Sequence, residues 1–317
     1  MGAFFHAVAV FFHHLADVSW GALGIALLCH VIKLLFRARA WQNIIRASYP
    51  KNTLKFRAAA GAYIAGVGVN SIAPARGGDL VKLYLVKHRV EESTYPTLAS
   101  TLVVETIFDF VVAGALMIWA LSIGVLPTHQ VYSRIPTVDW KFVLRHQHES
   151  LIVLAILFLA AVVLFFWARG RVENFWDRIK LGFAILSDRR AFALGVLVPQ
   201  AISWLFRIAS LYFFLKAFGV HASIHNALLA QVVDSLATLF PATPGGAGTK
   251  QGLIVYVFRG QAISRSLLLA FSVGMNIATT VVNVLLGLLA IGLMARTLSF
   301  KKLRSAGRAE QEQQPAG

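Results

Sequence analysis

Two carboxylates, Glu105 and Asp109, stand four residues apart inside the apolar run Thr97 to Leu121. At helical spacing both face one side, and in an apolar medium such a pair calls for cations or a polar substrate. Arg207, inside a later apolar run, is one candidate partner, and Asp234, three residues after Gln231, is a further intramembrane acid. Two glycine-bearing stretches add cations. PARGGDLVK, Pro74 to Lys82, carries Arg76, Gly77, Gly78, Asp79 and Lys82. FPATPGGAGTKQ, Phe240 to Gln251, carries Pro241, Pro244, Gly245, Gly246, Gly248, Thr249, Lys250 and Gln251. Such stretches suit the capture of an anionic headgroup. Arginine supplies a planar fork, glycines let backbone N–H groups approach closely, and a helix start presents its positive end. Asp79 and Thr249 are placed to cap the helices that follow them.

The same residues support plainer readings. Arg76 and Asp79 could neutralise each other in a turn, Lys250 could snorkel to the interface, and the carboxylates could belong to ion pairs that hold a bundle together. Enzyme chemistry has little to stand on. There is no Walker loop and no HExxH, so the chain is read as a non-enzyme. The alternative kept is a membrane-embedded transferase using Glu105 or Asp109 as general base. The ten histidines are scattered and Cys29 is the single cysteine, so no metal, cofactor or internal disulfide is expected.

The elements that must position these residues are membrane helices. Of 317 residues, 57% are hydrophobic and 14% charged, well below the roughly 25% charged of soluble domains, and the mean hydropathy is +0.68. The net charge of +16 lies mostly in short segments flanking apolar runs, which fits anionic lipid headgroups better than nucleic acid. Apolar spans fall at about Val18 to Phe36, Ala59 to Ala73, Thr97 to Leu121, Leu151 to Trp167, Ala191 to Phe218, Ala227 to Phe240 and Leu267 to Met294. Shorter pieces follow the glycines, at Leu80 to Val86 and Gly252 to Phe258. Met1 to Leu15 has no Lys or Arg ahead of its apolar residues and reads as a short interfacial helix.

Lysine and arginine accumulate in Arg37 to Arg57, Arg169 to Arg190 and the segment after Arg296, and all three are expected on the cytoplasmic side. The N-terminus is then outside and the C-terminus inside. A full crossing at Ala59 to Ala73 would invert every later basic loop. Treating Ala59 to Val86 as a cytoplasmic re-entrant hairpin, and Ala227 to Phe258 as an outer one, keeps the count consistent. The expected fold is an all-α polytopic bundle with two re-entrant hairpins in an inverted-topology repeat, as transporters use to build midplane sites. Its halves are about 18–122 and 191–295, with an extra span at about 151–167, in a membrane domain 1–298 followed by a disordered cytoplasmic tail 299–317. His30 and Lys33 read as lying near the cytoplasmic boundary and stay outside the candidate set.

PARGGDLVK and PATPGGAGTKQG together resemble the two signatures of the lysylphosphatidylglycerol synthase transmembrane region, the flippase-like or UPF0104-type membrane family. The likeness runs from about Val18 to Ala295. Its first motif commonly reads Arg-x-Gly-Glu with Arg three residues on, matched here by Arg76, Gly78, Asp79 and Lys82. Its second often ends in glutamate, where this chain has Gln251. The resemblance implies movement of a lipid headgroup between leaflets of the cell membrane. The candidate headgroup residues are Arg76, Gly77, Gly78, Asp79, Lys82, Pro244, Gly245, Gly246, Gly248, Thr249, Lys250 and Gln251, with Glu105, Asp109, Arg207 and Asp234 as intramembrane charges. The expected partners are membrane lipids, an anionic phospholipid or polyprenyl-linked lipid, with room for a partner enzyme of lipid or glycan synthesis and for a homo-oligomer. The competing reading is a non-transporting accessory subunit of a lipid-modification or glycosylation pathway.

Overall fold

A computed structural model of the chain describes residues 17–73, 76–124, 177–239, 249–259 and 261–312. The expected interfacial helix at Met1 to Leu15, the span at Leu151 to Trp167, and Pro244, Gly245, Gly246 and Gly248 lie outside these residues. The described elements are helical, in the order α1 (Trp20–Ser48), α2 (Phe56–Asn70), α3 (Gly77–Lys87) and α4 (Tyr95–Ser122). They continue with α5 (Arg189–Ala217), α6 (Ile224–Leu239), α7 (Thr249–Val257) and α8 (Arg265–Glu312). Four are long and apolar enough to cross a membrane: α1, α4, α5 and the part of α8 from Arg265 to Ala295. By contrast α2, α3, α6 and α7 have 15, 11, 16 and 9 residues, fewer than the roughly 20 that a bilayer crossing needs. The tail expected from Ser299 continues α8 as helix to Glu312.

Side-chain hydrogen bonds fix the directions of the long helices. Ser203 Oγ donates to Lys33 O at 3.1 Å and Ser210 Oγ to Ala26 O at 2.8 Å, so α1 and α5 run antiparallel. Trp41 Nε1 donates to Thr101 Oγ1 at 3.0 Å, and Arg37, one turn earlier, meets Glu105 and Asp109, so α1 and α4 are antiparallel as well. Gln200 and Trp204 of α5 reach Glu105 O and Asp109 Oδ1 of α4, which makes α4 and α5 parallel. Near its start α5 contains a π-helical turn, Ala193–Leu197. Its cause is Pro199, which has no N–H for the carbonyl four residues back. That carbonyl, Gly195 O, instead accepts from Asn43 Nδ2 at 2.8 Å.

The short helices come in two antiparallel pairs. In the first, α2 and α3 touch through glycine: a Cβ on Gly78 would lie 1.9 Å from Gly66 O. Asn52 Nδ2 donates to Glu91 O at 3.0 Å, tying the chain that enters α2 to the chain that leaves α3. In the second, Lys250 of α7 meets Asp234 of α6 at 2.7 Å, and Gln261 Nε2, just past α7, donates at 3.0 Å to Asn226 Oδ1 in the first turn of α6. Helices α2 and α8 cross closely, with a Cβ on Gly68 only 2.8 Å from Gly287 Cα.

Apolar packing is divided along the bundle. One core gathers Ala22 and Ala26 of α1, Phe214 and Leu215 of α5, Leu229, Phe258 and Phe271. Another gathers Leu34, Trp41 and Ile45 of α1, Tyr63, Leu98 and Met294. Between them along α1 and α8 fall His30, Lys33 and Asn283, and α5 brings Gln200, Trp204 and Arg207 to the same level. On the outside Phe110, Val111, Leu205, Leu285 and Leu288 are exposed, as expected of faces whose solvent is lipid.

Candidate functional site: a charged network between two apolar cores

Helical spacing places His30, Lys33 and Arg37 on one face of α1. Arg37 is bracketed by both carboxylates of α4. Its Nη2 bonds Glu105 Oε1, its Nη1 lies 2.6 Å from Asp109 Oδ2, and its Nε donates to Tyr63 Oη at 2.6 Å. The Tyr63 hydroxyl donates in turn to Glu105 Oε1 at 2.9 Å, and Trp204 Nε1 to Asp109 Oδ1 at 2.8 Å. Glu105 is 2% exposed. The arrangement corrects two sequence expectations. Arg37 belongs to a helix that continues to Ser48 rather than to a cytoplasmic linker, and Arg37, not Arg207, is the direct ion partner of Glu105 and Asp109. Counting cations as loop markers misplaces an arginine whose charge is matched inside the bundle.

Beside this cluster, Lys82 Nζ pairs with Asp79 Oδ1 at 3.0 Å and lies 4.3 Å from the centre of the Tyr63 ring. Asp79 sits in the first turn of α3 and does not cap it. The Gly78 N–H is taken by Asn70 Oδ1 at 2.7 Å, while Asn70 Nδ2 donates to Asp79 Oδ1. The cap therefore comes from the end of the neighbouring helix. Arg76 is exposed, adopts the left-handed conformation (φ 57°), and makes no ion pair with Asp79 or any other described residue.

A second charged cluster has the opposite proportions. Asp234 of α6 lies 2.7 Å from Lys250 Nζ and 3.7 Å from Arg207 Nη2. Arg207 also stacks over the Trp204 ring, 4.9 Å from its centre. Lys33 is within electrostatic range of Arg37, Arg207, Asp234 and Lys250, yet its ammonium has no hydrogen bond or ion pair with any described residue. One turn earlier His30 Nε2 donates to Asn283 Oδ1 at 2.8 Å, and Asn283 Nδ2 donates to Ser71 Oγ at 3.1 Å. Through Asn283 the end of α2 is thus linked to the face of α1 that looks on Asp234. Among the described residues no three His, Cys, Asp or Glu side chains converge to hold a metal ion.

The model of the lysylphosphatidylglycerol synthase TM region matches residues 3–287 of the chain. The chain belongs to that family. A UPF0104 membrane protein of Methanothermobacter thermautotrophicus is 23% identical over 244 residues, which cover 70% of this chain and 69% of that protein. A second UPF0104 membrane protein, from Methanocaldococcus jannaschii, is 23% identical over 208 residues, covering 62% of this chain and 82% of its own length. No solved structure matches.

Within this lysylphosphatidylglycerol synthase TM-type chain, the motif residues fall unevenly on the network. Asp79, Lys82 and Lys250 lie in it, whereas Arg76 stays apart on the surface. Thr249 opens α7, and Gln251 follows Lys250 in its first turn. Sequence reasoning missed Lys33, Arg37, Tyr63, Asn70, Trp204 and Asn283. For His30, Lys33 and Arg37 a signal was present, because polar residues at i, i+3 and i+7 mark one helix face.

Proposed function

We propose that this integral membrane protein binds an anionic phospholipid or polyprenyl-linked lipid by its headgroup and carries that headgroup between leaflets. The observation that carries the reading is the base-rich cluster of Lys33, Arg207 and Lys250 around Asp234, its one carboxylate among the described residues, between two apolar cores. Uncompensated charge is costly at membrane depth and marks a site for a substrate of opposite sign. In this reading α2–α3 and α6–α7 are re-entrant hairpins of an inverted repeat, with α1 and α5 as equivalent helices. Three observations support it: the antiparallel course of α1 and α5, the tie at Asn52 and Glu91, and the tie at Asn226 and Gln261. In this reading Leu151 to Trp167 is the span that returns the chain between parallel α4 and α5. Arg76 meets the headgroup at entry, and the N-terminus lies outside.

The role is non-enzymatic in this reading. Glu105 accepts from both Arg37 and Tyr63, and Asp109 from Arg37 and Trp204, which leaves neither carboxylate poised as a general base. The test is reconstitution into vesicles with a panel of fluorescent lipids. Wild type accelerates leaflet exchange of at least one anionic lipid, and Asp234→Asn with Lys250→Met changes that rate. Exchange no faster than in protein-free vesicles across the panel overturns the proposal.

A further inference from the structure

Charge bookkeeping over the network narrows the ligand. Among the described residues, five basic side chains, Lys33, Arg37, Lys82, Arg207 and Lys250, face four carboxylates, Asp79, Glu105, Asp109 and Asp234. Counted with histidine neutral and Lys33 protonated, these residues are one positive charge over. The surplus is localised. Arg37 is outnumbered by its two acids and Lys82 is matched by Asp79, so the excess sits where Lys33, Arg207 and Lys250 share Asp234. Lys33 is the member with no described partner. Its carbonyl accepts from Ser203 Oγ at 3.1 Å, which sets Lys33 of α1 at the level of α5 one turn before Arg207.

We propose that Lys33, with Arg207 and Lys250, forms an anion subsite for one singly charged phosphodiester, the linkage that joins a phospholipid to its headgroup. This rests on the headgroup reading given above and deepens it by naming the ligand's charge and the residue that receives it. A phosphodiester brings one negative charge and two free oxygens, enough to accept from the Lys33 ammonium and to complete the loose contact that Arg207 makes with Asp234 at 3.7 Å. A diphosphate would bring at least two charges and leave the site over-neutralised. A lipid of net positive charge would leave Lys33 facing a like charge.

An unpaired cation between helices stabilises the empty protein less than an apolar side chain of similar length would. Replacing Lys33 should therefore raise stability while abolishing the subsite, the trade expected of functional residues. A merely structural lysine would behave in the opposite way.

The experiment uses the full chain purified in detergent, with equilibrium binding of three probes: dihexanoylphosphatidylglycerol, farnesyl diphosphate and inorganic phosphate. Unfolding midpoints are measured without added lipid. Wild type should bind the phosphatidylglycerol, Lys33→Met should bind it about tenfold more weakly or worse, and Lys33→Arg should retain most of the affinity. Lys180→Met, which removes one exposed charge, should bind as wild type. Lys33→Met should also unfold at a higher midpoint than wild type. Equal binding by Lys33→Met, or a lowered midpoint, overturns the assignment of Lys33 while leaving lipid translocation intact. Tenfold tighter binding of farnesyl diphosphate overturns the single-charge assignment, and inorganic phosphate binding as tightly as the lipid overturns the lipid as its source. Wild type that binds the phosphatidylglycerol without accelerating leaflet exchange of any panel lipid keeps the subsite and removes the translocation reading; failure to bind any probe removes the subsite.

Discussion

Arg37 and Asp234 are the centres of two clusters with inverted proportions. Arg37 lies between two carboxylates, Glu105 and Asp109, and further contacts from Tyr63 and Trp204 occupy the same groups at 2.6–2.9 Å. Asp234 lies between two cations, one of them 3.7 Å away, with a third cation nearby that has no described partner. Exposure singles out Glu105 rather than a cluster: its side chain is 3% exposed, whereas Asp109 is 23% and Asp234 and Arg207 are each 22% exposed. Both clusters put charge where charge is expensive; in the first, short contacts hold Arg37 on both sides, whereas in the second the Lys33 ammonium has no hydrogen bond or ion pair with a described residue. The difference separates two uses of an ion pair. The acid-rich cluster ties α1, α2, α4 and α5 together, and the base-rich cluster is the one to which the proposal above assigns a ligand.

Removing Arg37 is the severest way to break this contrast. Arg37→Met strands Glu105 and Asp109 with no direct cation, a situation that costs about 3–5 kcal/mol when the pair is buried. Equilibrium unfolding in mixed micelles should show a loss of that size, with poor recovery of folded protein. Asp234→Asn is the matched test in the second cluster and should cost less, about 1–3 kcal/mol, between the surface and buried limits. Its cations are partly exposed and take up water or anions. The same variant should gain more stability than wild type from added phosphatidylglycerol. Should Asp234→Asn cost as much as Arg37→Met and gain nothing from the lipid, the two clusters are of one kind.

How much of this the sequence carried depended on whether the signal was local. The long runs that became α1, α4, α5 and α8 were legible because each holds enough consecutive apolar residues to declare itself. The break between α2 and α3 was legible from Gly77 and Gly78, and the structure shows the reason at Gly78, where a Cβ would strike Gly66 O. Glu105 and Asp109 stood out as acids on one face. Which cation they meet did not, since Arg37 and Arg207 are equally good partners on paper and only the packing of α1 against α4 decides. Arg37 was also concealed by a sound rule misapplied: positive residues mark cytoplasmic loops unless a carboxylate inside the bundle claims them. Tyr63, Trp204 and Asn283 carried no local signal, because each matters only through what a distant helix brings to it.

Trp204 offers the finest test, since it touches both clusters. Its Nε1 donates to Asp109 Oδ1 and its ring lies under Arg207. Phenylalanine keeps the aromatic face and loses the donor, so Trp204→Phe should cost about 1 kcal/mol while leaving the Arg207 contact in place. A double-mutant cycle then apportions the effect. Trp204→Phe with Asp109→Asn should show coupling of about 1 kcal/mol, the value of the lost hydrogen bond. Trp204→Phe with Arg207→Met should show almost none, because the ring remains for the cation to stack upon. That outcome means that the tryptophan serves each cluster through a separate part of its side chain, so a ligand of the kind proposed for the base-rich side would leave the acid-rich cluster unchanged. Equal coupling to both partners would mean that a headgroup arriving at Arg207 is felt at Asp109, and the two clusters would then have to be treated as one titrating and binding unit.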